Sequence, residues 1–131
     1  MSRRNYGETI QHLAVRYGYQ FAANYANFGE RVDRFPVDAH MLISLIAPRP
    51  LLLQTGDKDF WSDPRGEFLA ARAAAPVYQL LGQKVSLAAE FPAPDQSPVE
   101  GSLSFFMHSG GHGTVPSDWD VFVRFLDSHL K

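Results

Sequence analysis

Ala47-Pro48-Arg49-Pro50-Leu51-Leu52-Leu53-Gln54-Thr55-Gly56-Asp57-Lys58-Asp59-Phe60-Trp61-Ser62-Asp63-Pro64 is the stretch from which the fold is read. Leu51, Leu52 and Leu53 form a short apolar run between prolines and the Gly56-Asp57 turn, the composition of a strand buried on both faces of a sheet. Asp57, Asp59 and Trp61 follow in a loop, and Asp63-Pro64 offers a helix start with proline at the first helical position. Open α/β sheets bind ligands outside the carboxyl ends of their strands, so strand, acidic loop and helix in this order mark a site. A matching place lies at His108-Ser109-Gly110-Gly111-His112-Gly113, directly behind a second apolar run from Leu103 to His108.

Towards the amino end, Ile10, Leu13, Ala14 and Tyr17 recur at helical spacing, which predicts an amphipathic helix from Glu8 that ends near Gly18. Gln20 to Pro36 is dense in aromatic residues without a clear period and is read as buried core. A helix then opens behind Pro36, with Asp38 near its positive end and Met41, Leu42, Leu45 and Ile46 as its apolar face; Pro48 and Pro50 stop it. His40 reads as a structural histidine in a buried hydrogen-bond network.

Beyond the central stretch, Pro64 to Leu81 is helical in composition, but Pro76 inside it predicts a kink or two short helices rather than one rod, with Gly82 as terminator. Val85 to Ala89 fits a short strand or an irregular segment, and Phe91 to Gly101, with Pro92, Pro94 and Pro98, reads as a surface loop. Ser117 is an N-cap candidate with Asp118 and Asp120 in the first turn behind it. Trp119, Phe122, Val123, Leu126 and Leu130 then mark the apolar face of a last helix.

A chain of 131 residues, 45% hydrophobic and with a formal charge of -2, is one domain's worth of ordinary globular composition. No basic run accompanies that charge, which argues against nucleic-acid binding. With no cysteine there is no disulfide scaffold, thiolate zinc site or cysteine nucleophile. Met1 to Tyr6 has no apolar stretch behind it, so it is not a signal peptide, and no later run is long enough for a membrane span. There is no internal repeat. Strands alternating with helices predict a parallel α/β sheet with right-handed crossovers. Two or three parallel strands are read, and a two-stranded sheet has too little sheet to be buried on both faces, so the remaining strands of a larger sheet are expected on another piece of chain.

A carboxylate after one parallel strand and a histidine after the next form the second half of a Ser-Asp-His arrangement in α/β-hydrolase chain order. Asp59 and His112 are the pair; Asp57, closer to the turn, is the alternative acid. Glycines at 110, 111 and 113 allow positive φ around His112. A solvated turn aspartate and a loop histidine would give the same pattern. His108 and His112, four apart, have glycine at two of the positions between them and no accompanying carboxylate signature, which argues against a metal site. His12 and His129 read as structural or surface residues. Ser44, Ser62, Ser104, Ser109 and Ser117 all lie outside any G-x-S-x-G turn, and no glycine-rich phosphate loop is present. The chain carries an acid and a base without a nucleophile.

Phe35 to Phe68, with P-V-D-A-H and I-A-P-R-P, and Phe106 to Asp120, with H-S-G-G-H-G, resemble the C-terminal part of bacterial glucuronoyl esterases, carbohydrate esterase family fifteen. The opening N-Y-G-E-T-I is similar to an internal segment of the same enzymes, and the resemblance covers nearly the whole chain. It implies an α/β-hydrolase fold with a serine nucleophile. The reaction it implies is cleavage of the ester between 4-O-methyl-glucuronic acid on xylan and a lignin alcohol, with no metal or organic cofactor. By resemblance His112 matches the catalytic histidine, Asp59 the acid of many bacterial members, and Trp61 a tryptophan against the uronic acid. The nucleophile turn, the oxyanion-stabilising arginine, a substrate-binding lysine and an alternative glutamate acid would all precede Met1. Residues 1–131 are therefore expected to be the C-terminal fragment of one α/β-hydrolase domain, whose intact relatives are secreted or periplasmic. The substrate expected for the intact enzyme is a glucuronoxylan or lignin-carbohydrate ester, with no nucleic-acid or membrane partner. Two other functions fit the same residues: an acetyl-xylan or other acyl esterase of this fold, and a non-catalytic α/β module that binds a partner through its sheet edge.

Overall fold

Two six-residue strands set the frame: β1 (Leu51–Gly56) and β3 (Leu103–His108) run parallel and in register, Leu51 opposite Leu103 and Gly56 opposite His108. The short β2 (Val85–Ser86) pairs with the other side of β3, also parallel, so the strand order is β1-β3-β2. The computed structural model describes residues 7–96 and 99–130, and the readings of Met1 to Tyr6 and of Pro98 lie outside them.

Because side chains alternate along a strand, β3 sends Leu103, Phe105 and Met107 to one side and Phe106 and His108 to the other. The first set packs against α3 (Pro64–Leu80) through Phe68, Ala70, Ala74 and Tyr78, with Ile43 of α2 (Ala39–Ile46) closing the same cluster. Phe106 meets Val121 of α4 (Asp118–His129), together with Leu52 and Val99. The result is a helix layer on each face of a small parallel sheet.

Several expectations change. β3 is buried along its whole length, whereas Leu51 to Gln54 are only half-buried, because β1 is the outer strand and nothing among the described residues pairs with its far edge. α3 is one continuous helix of 17 residues through Pro76, not two. Phe68 and Tyr78 lie buried on either side of the proline. Burying two aromatic side chains, at about 1.5–3 kcal/mol each, offsets the roughly 3 kcal/mol that an interior proline costs. Its ends follow the sequence: Asp63 accepts from Gly66 N–H at the start, and Gly82, at φ 75, ends it with Gly82 N–H to Gln79 O and Gln83 N–H to Tyr78 O.

α2 and α4 form where their spacing predicts, but each turns a different face inward. In α2 Ile43 is buried while Met41, Leu42 and Leu45 are exposed. In α4 Asp118, Val121 and Phe125 are buried, and Trp119, Val123, Leu126 and Leu130 face outward. Ser117 makes no capping bond; Asp118 instead accepts from Val115 N–H at 2.8 Å, which anchors the helix by its buried first residue. The loop predicted to lie on the surface turns inward at its end, with Val99 in the core. The aromatic segment is three short 3₁₀ turns, Gly18–Gln20, Ala23–Phe28 and Val32–Arg34, with no buried residue in any of them. Its rings pack on each other, Phe21 on Tyr25 at 4.2 Å and Phe28 on Phe35 at 5.1 Å, rather than under another layer. Ahead of it, α1 (Ile10–Tyr17) is capped by Thr9 and His12 reciprocally, so His12 serves the helix end.

Candidate active site

Since Gly56 and His108 are partners across the sheet, the loops behind them leave the same end side by side. Three bonds join these loops: Asp57 N–H to His108 O at 3.0 Å, Lys58 N–H to Gly110 O at 2.8 Å, and Gly110 N–H to Asp57 Oδ1 at 2.8 Å. Asp57 is therefore occupied in bracing the backbone. Two residues on, Asp59 Oδ2 lies 2.8 Å from His112 Nδ1.

Asp59 is 7% exposed, whereas the His112 side chain is 85% exposed. Burial by itself would raise the Asp59 pKa. The Ser62 hydroxyl at 2.7 Å, His112 and the Ser62 N–H outweigh it and hold the carboxyl below its ordinary value. An ionised carboxylate only accepts, so the His112 Nδ1 carries the proton and, in the neutral imidazole, Nε2 keeps its lone pair, with no hydrogen bond to Nε2 among the described residues. A base with its tautomer set from behind and its reactive nitrogen open can take a proton from a hydroxyl brought against it.

Gly113, at φ 109, follows His112 directly, in a conformation that a side chain would strain. Gly56 is needed for a different reason: a Cβ there would meet the carbonyl oxygens of Gly111 and Gly110 and lie 2.8 Å from His108 Nε2. Gly56→Ala is expected to push the histidine loop away and destabilise the chain by about 1–3 kcal/mol in urea unfolding. A change within roughly 0.5 kcal/mol would mean that the two loops are not held this tightly.

Trp61 stands in the same loop, exposed, with its carbonyl accepting from Glu8 N–H at 2.7 Å and its ring edge-on to His12. It borders a cavity of about 250 Å³ that Asp38, His40, Ser62, Asp63 and Glu67 also line. His40 lies 3.8 Å from Asp38 and is partly exposed rather than buried. Among the described residues no group of three or more His, Asp or Glu is arranged to hold a metal ion, and no helix is long and apolar enough to cross a membrane.

Sequence reasoning passes over Ser62, which steadies the acid, and Glu67. Burial first, and then the Asp59 and Asp63 carboxylates, push Glu67 up to about 7 against the lowering effect of Thr55. Because that folded-state value lies above the ordinary one of 4.5, its contribution to stability is complete below about pH 4.5 and is lost as pH rises through 7. Asp59 acts with the opposite sign, stabilising above its ordinary value and losing that as pH falls. Glu67→Gln should therefore gain stability relative to the parent between about pH 5 and about pH 8, read as the difference in Tm. An unchanged difference would show that Glu67 ionises as an exposed glutamate does.

Residues 1–82 match the family model described as glucuronyl esterase, fungi. A carbohydrate esterase of an unknown prokaryotic organism is 37% identical over 130 residues, which are 99% of this chain and 30% of that protein. The 4-O-methyl-glucuronoyl methylesterase of Phanerochaete carnosa is 31% identical over 127 residues, 95% of this chain and 28% of that protein. Among solved structures, a promiscuous CE15 esterase from a marine bacterial metagenome superimposes with a TM-score of 0.91 at 38% identity, covering 98% of this chain and 32% of that one. A CE15 glucuronoyl esterase from Teredinibacter turnerae follows at 0.88 and 37%, covering 98% of this chain and 31% of that one. The chain thus spans about 30% of the length of the curated relatives it matches.

Proposed function

Because the chain belongs to the glucuronoyl esterase family, carbohydrate esterase family fifteen, and has part of its α/β-hydrolase fold, we propose that it supplies the acid and base of a serine-type carbohydrate esterase. Asp59 is the acid, His112 the base, and Trp61 the side chain that covers the uronic acid. The 131 residues are then the C-terminal portion of one α/β-hydrolase domain, and the nucleophilic serine comes from polypeptide outside them. The substrate is an ester of 4-O-methyl-glucuronic acid on glucuronoxylan, with a lignin alcohol as leaving group.

The observation that carries this reading is the 2.8 Å bond from His112 Nδ1 to the buried Asp59, which leaves Nε2 open. In the reaction the serine Oγ attacks the ester carbonyl while its proton passes to Nε2. The bond to the leaving alcohol breaks as that oxygen takes the proton from Nε2. Water then attacks the acyl carbon while giving a proton to Nε2, and the bond to the serine Oγ breaks as that oxygen takes the proton back from Nε2, which releases the uronic acid and restores the serine. Asp59 stays ionised throughout and stabilises the imidazolium.

The test replaces the matching third of the Teredinibacter turnerae enzyme with this chain and measures hydrolysis of methyl glucuronate and of acetylated xylose. Turnover of the glucuronate ester is expected. A chimera that unfolds cooperatively yet cleaves neither ester rules the reading out. A broader acyl esterase is the second reading, suggested by the structural neighbour at TM-score 0.91, which is described as promiscuous; turnover of both esters would select it.

A further inference from the structure

Directly behind the exposed His112 sits a second histidine–aspartate pair that the proposed chemistry does not use. His108 is 1% exposed and Asp118 0%, so neither can reach a substrate. His108 Nδ1 lies 3.0 Å from Asp118 Oδ2, and the carboxamide nitrogen of Gln54 lies 2.8 Å from that Nδ1 and 3.0 Å from the same Oδ2. Three elements meet here, β1 through Gln54, β3 through His108 and α4 through Asp118.

What this cluster holds is the backbone on either side of His112. His108 Nε2 is 3.1 Å from Gly111 O, and Gln54 Nε2 is 3.4 Å from Gly113 O. A carbonyl can only accept, so His108 Nε2 carries a proton and donates it. Burying a carboxylate and an imidazole is costly, and an apolar pair of equal volume would pack this site as well or better. The polar pair is therefore better explained by the two carbonyls it reaches than by stability.

We propose that His108, locked by Asp118 and Gln54, is a positioning residue that fixes the loop carrying His112 by holding the carbonyl that precedes it, while Gln54 holds the carbonyl that follows. The inference deepens the esterase reading and rests on it for its meaning. Its geometry, however, has a readout besides turnover, in the chimera of this chain with the Teredinibacter turnerae enzyme.

In the ¹⁵N-histidine-labelled chimera, the His112 Nδ1 proton, held between His112 and Asp59, is expected as a downfield signal that Asp59→Asn removes. His108→Asn keeps an amide where Nδ1 faces Asp118 but cannot reach Gly111 O, and the signal should be lost. His108→Gln extends its amide to the position of Nε2, and the signal should return. Gln54→Leu, at a half-buried position, releases Gly113 O and should also lose it. Survival of the signal in His108→Asn or in Gln54→Leu overturns the proposal, as does its loss in both His108 variants alike, which is what a purely structural residue would give. Should His108→Asn fail to fold, Gln54→Leu decides. A folded parent chimera with no such signal has no Asp59–His112 bond for His108 to position, which overturns the proposal; turnover of methyl glucuronate by the same chimera decides the esterase reading separately.

Discussion

Asp59→Asn, introduced into an esterase completed by this chain, is expected to lower kcat about 10⁴-fold with little change in KM. The cause is the tautomer. An asparagine amide can turn its NH₂ towards His112 Nδ1, which moves the imidazole proton to Nε2 and leaves the reactive nitrogen unable to accept the serine proton. Removing the imidazole altogether, in His112→Ala, should cost about as much or more. Asp57→Asn is the informative control. Among the described residues its Oδ1 accepts only from Gly110 N–H, so the variant should loosen the loop without touching the tautomer and lose far less activity. If Asp57→Asn abolished turnover while Asp59→Asn kept it, the assignment of the acid would be wrong.

The second large effect concerns the core. Phe105 is 1% exposed in the middle of the central strand, with the ring of Phe68 at 5.3 Å and that of Phe91 at 6.5 Å. Truncation to alanine removes a full aromatic side chain from a site that cannot collapse easily, and should cost about 3–5 kcal/mol. Against a total stability of about 5–15 kcal/mol, that is a large share of what keeps a domain folded. Trp119→Ala is the natural comparison, since Trp119 is larger but 62% exposed. It should change stability by less than about 1 kcal/mol, and urea unfolding of the two variants side by side measures the difference. A loss at Trp119 as large as that at Phe105 would mean that α4 turns its other face to the sheet.

Much of the site is legible in the amino-acid sequence. The apolar runs at Leu51 and Leu103 both extend, though only the second is buried throughout; the Asp63-Pro64 helix start is used as read, and Gly110 and Gly113, though not Gly111, take positive φ. The strand-then-loop order points to His112 and to Asp59, with Asp57 left beside it as the alternative acid. His108 was legible in part, as a polar residue ending the otherwise apolar run S-F-F-M-H, yet its spacing from His112 suggested only a metal to be dismissed. Its actual partners, Gln54 and Asp118, are separated from each other by 64 residues in sequence, and no local pattern links them.

By itself, then, the sequence determined what each segment can be: which stretches extend, which coil, where helices start and stop, and which two loops carry ionisable groups. Those are properties of neighbouring residues, governed by φ and ψ preferences, caps and spacing. Only the tertiary structure decided which of two apolar faces α2 and α4 bury, that α3 runs unbroken past Pro76, and that Asp59 rather than Asp57 reaches His112. Such choices depend on the surface presented by a distant partner. A helix with apolar residues on both sides buries the side whose first polar anchor, here Asp118 under His108, finds something to bond.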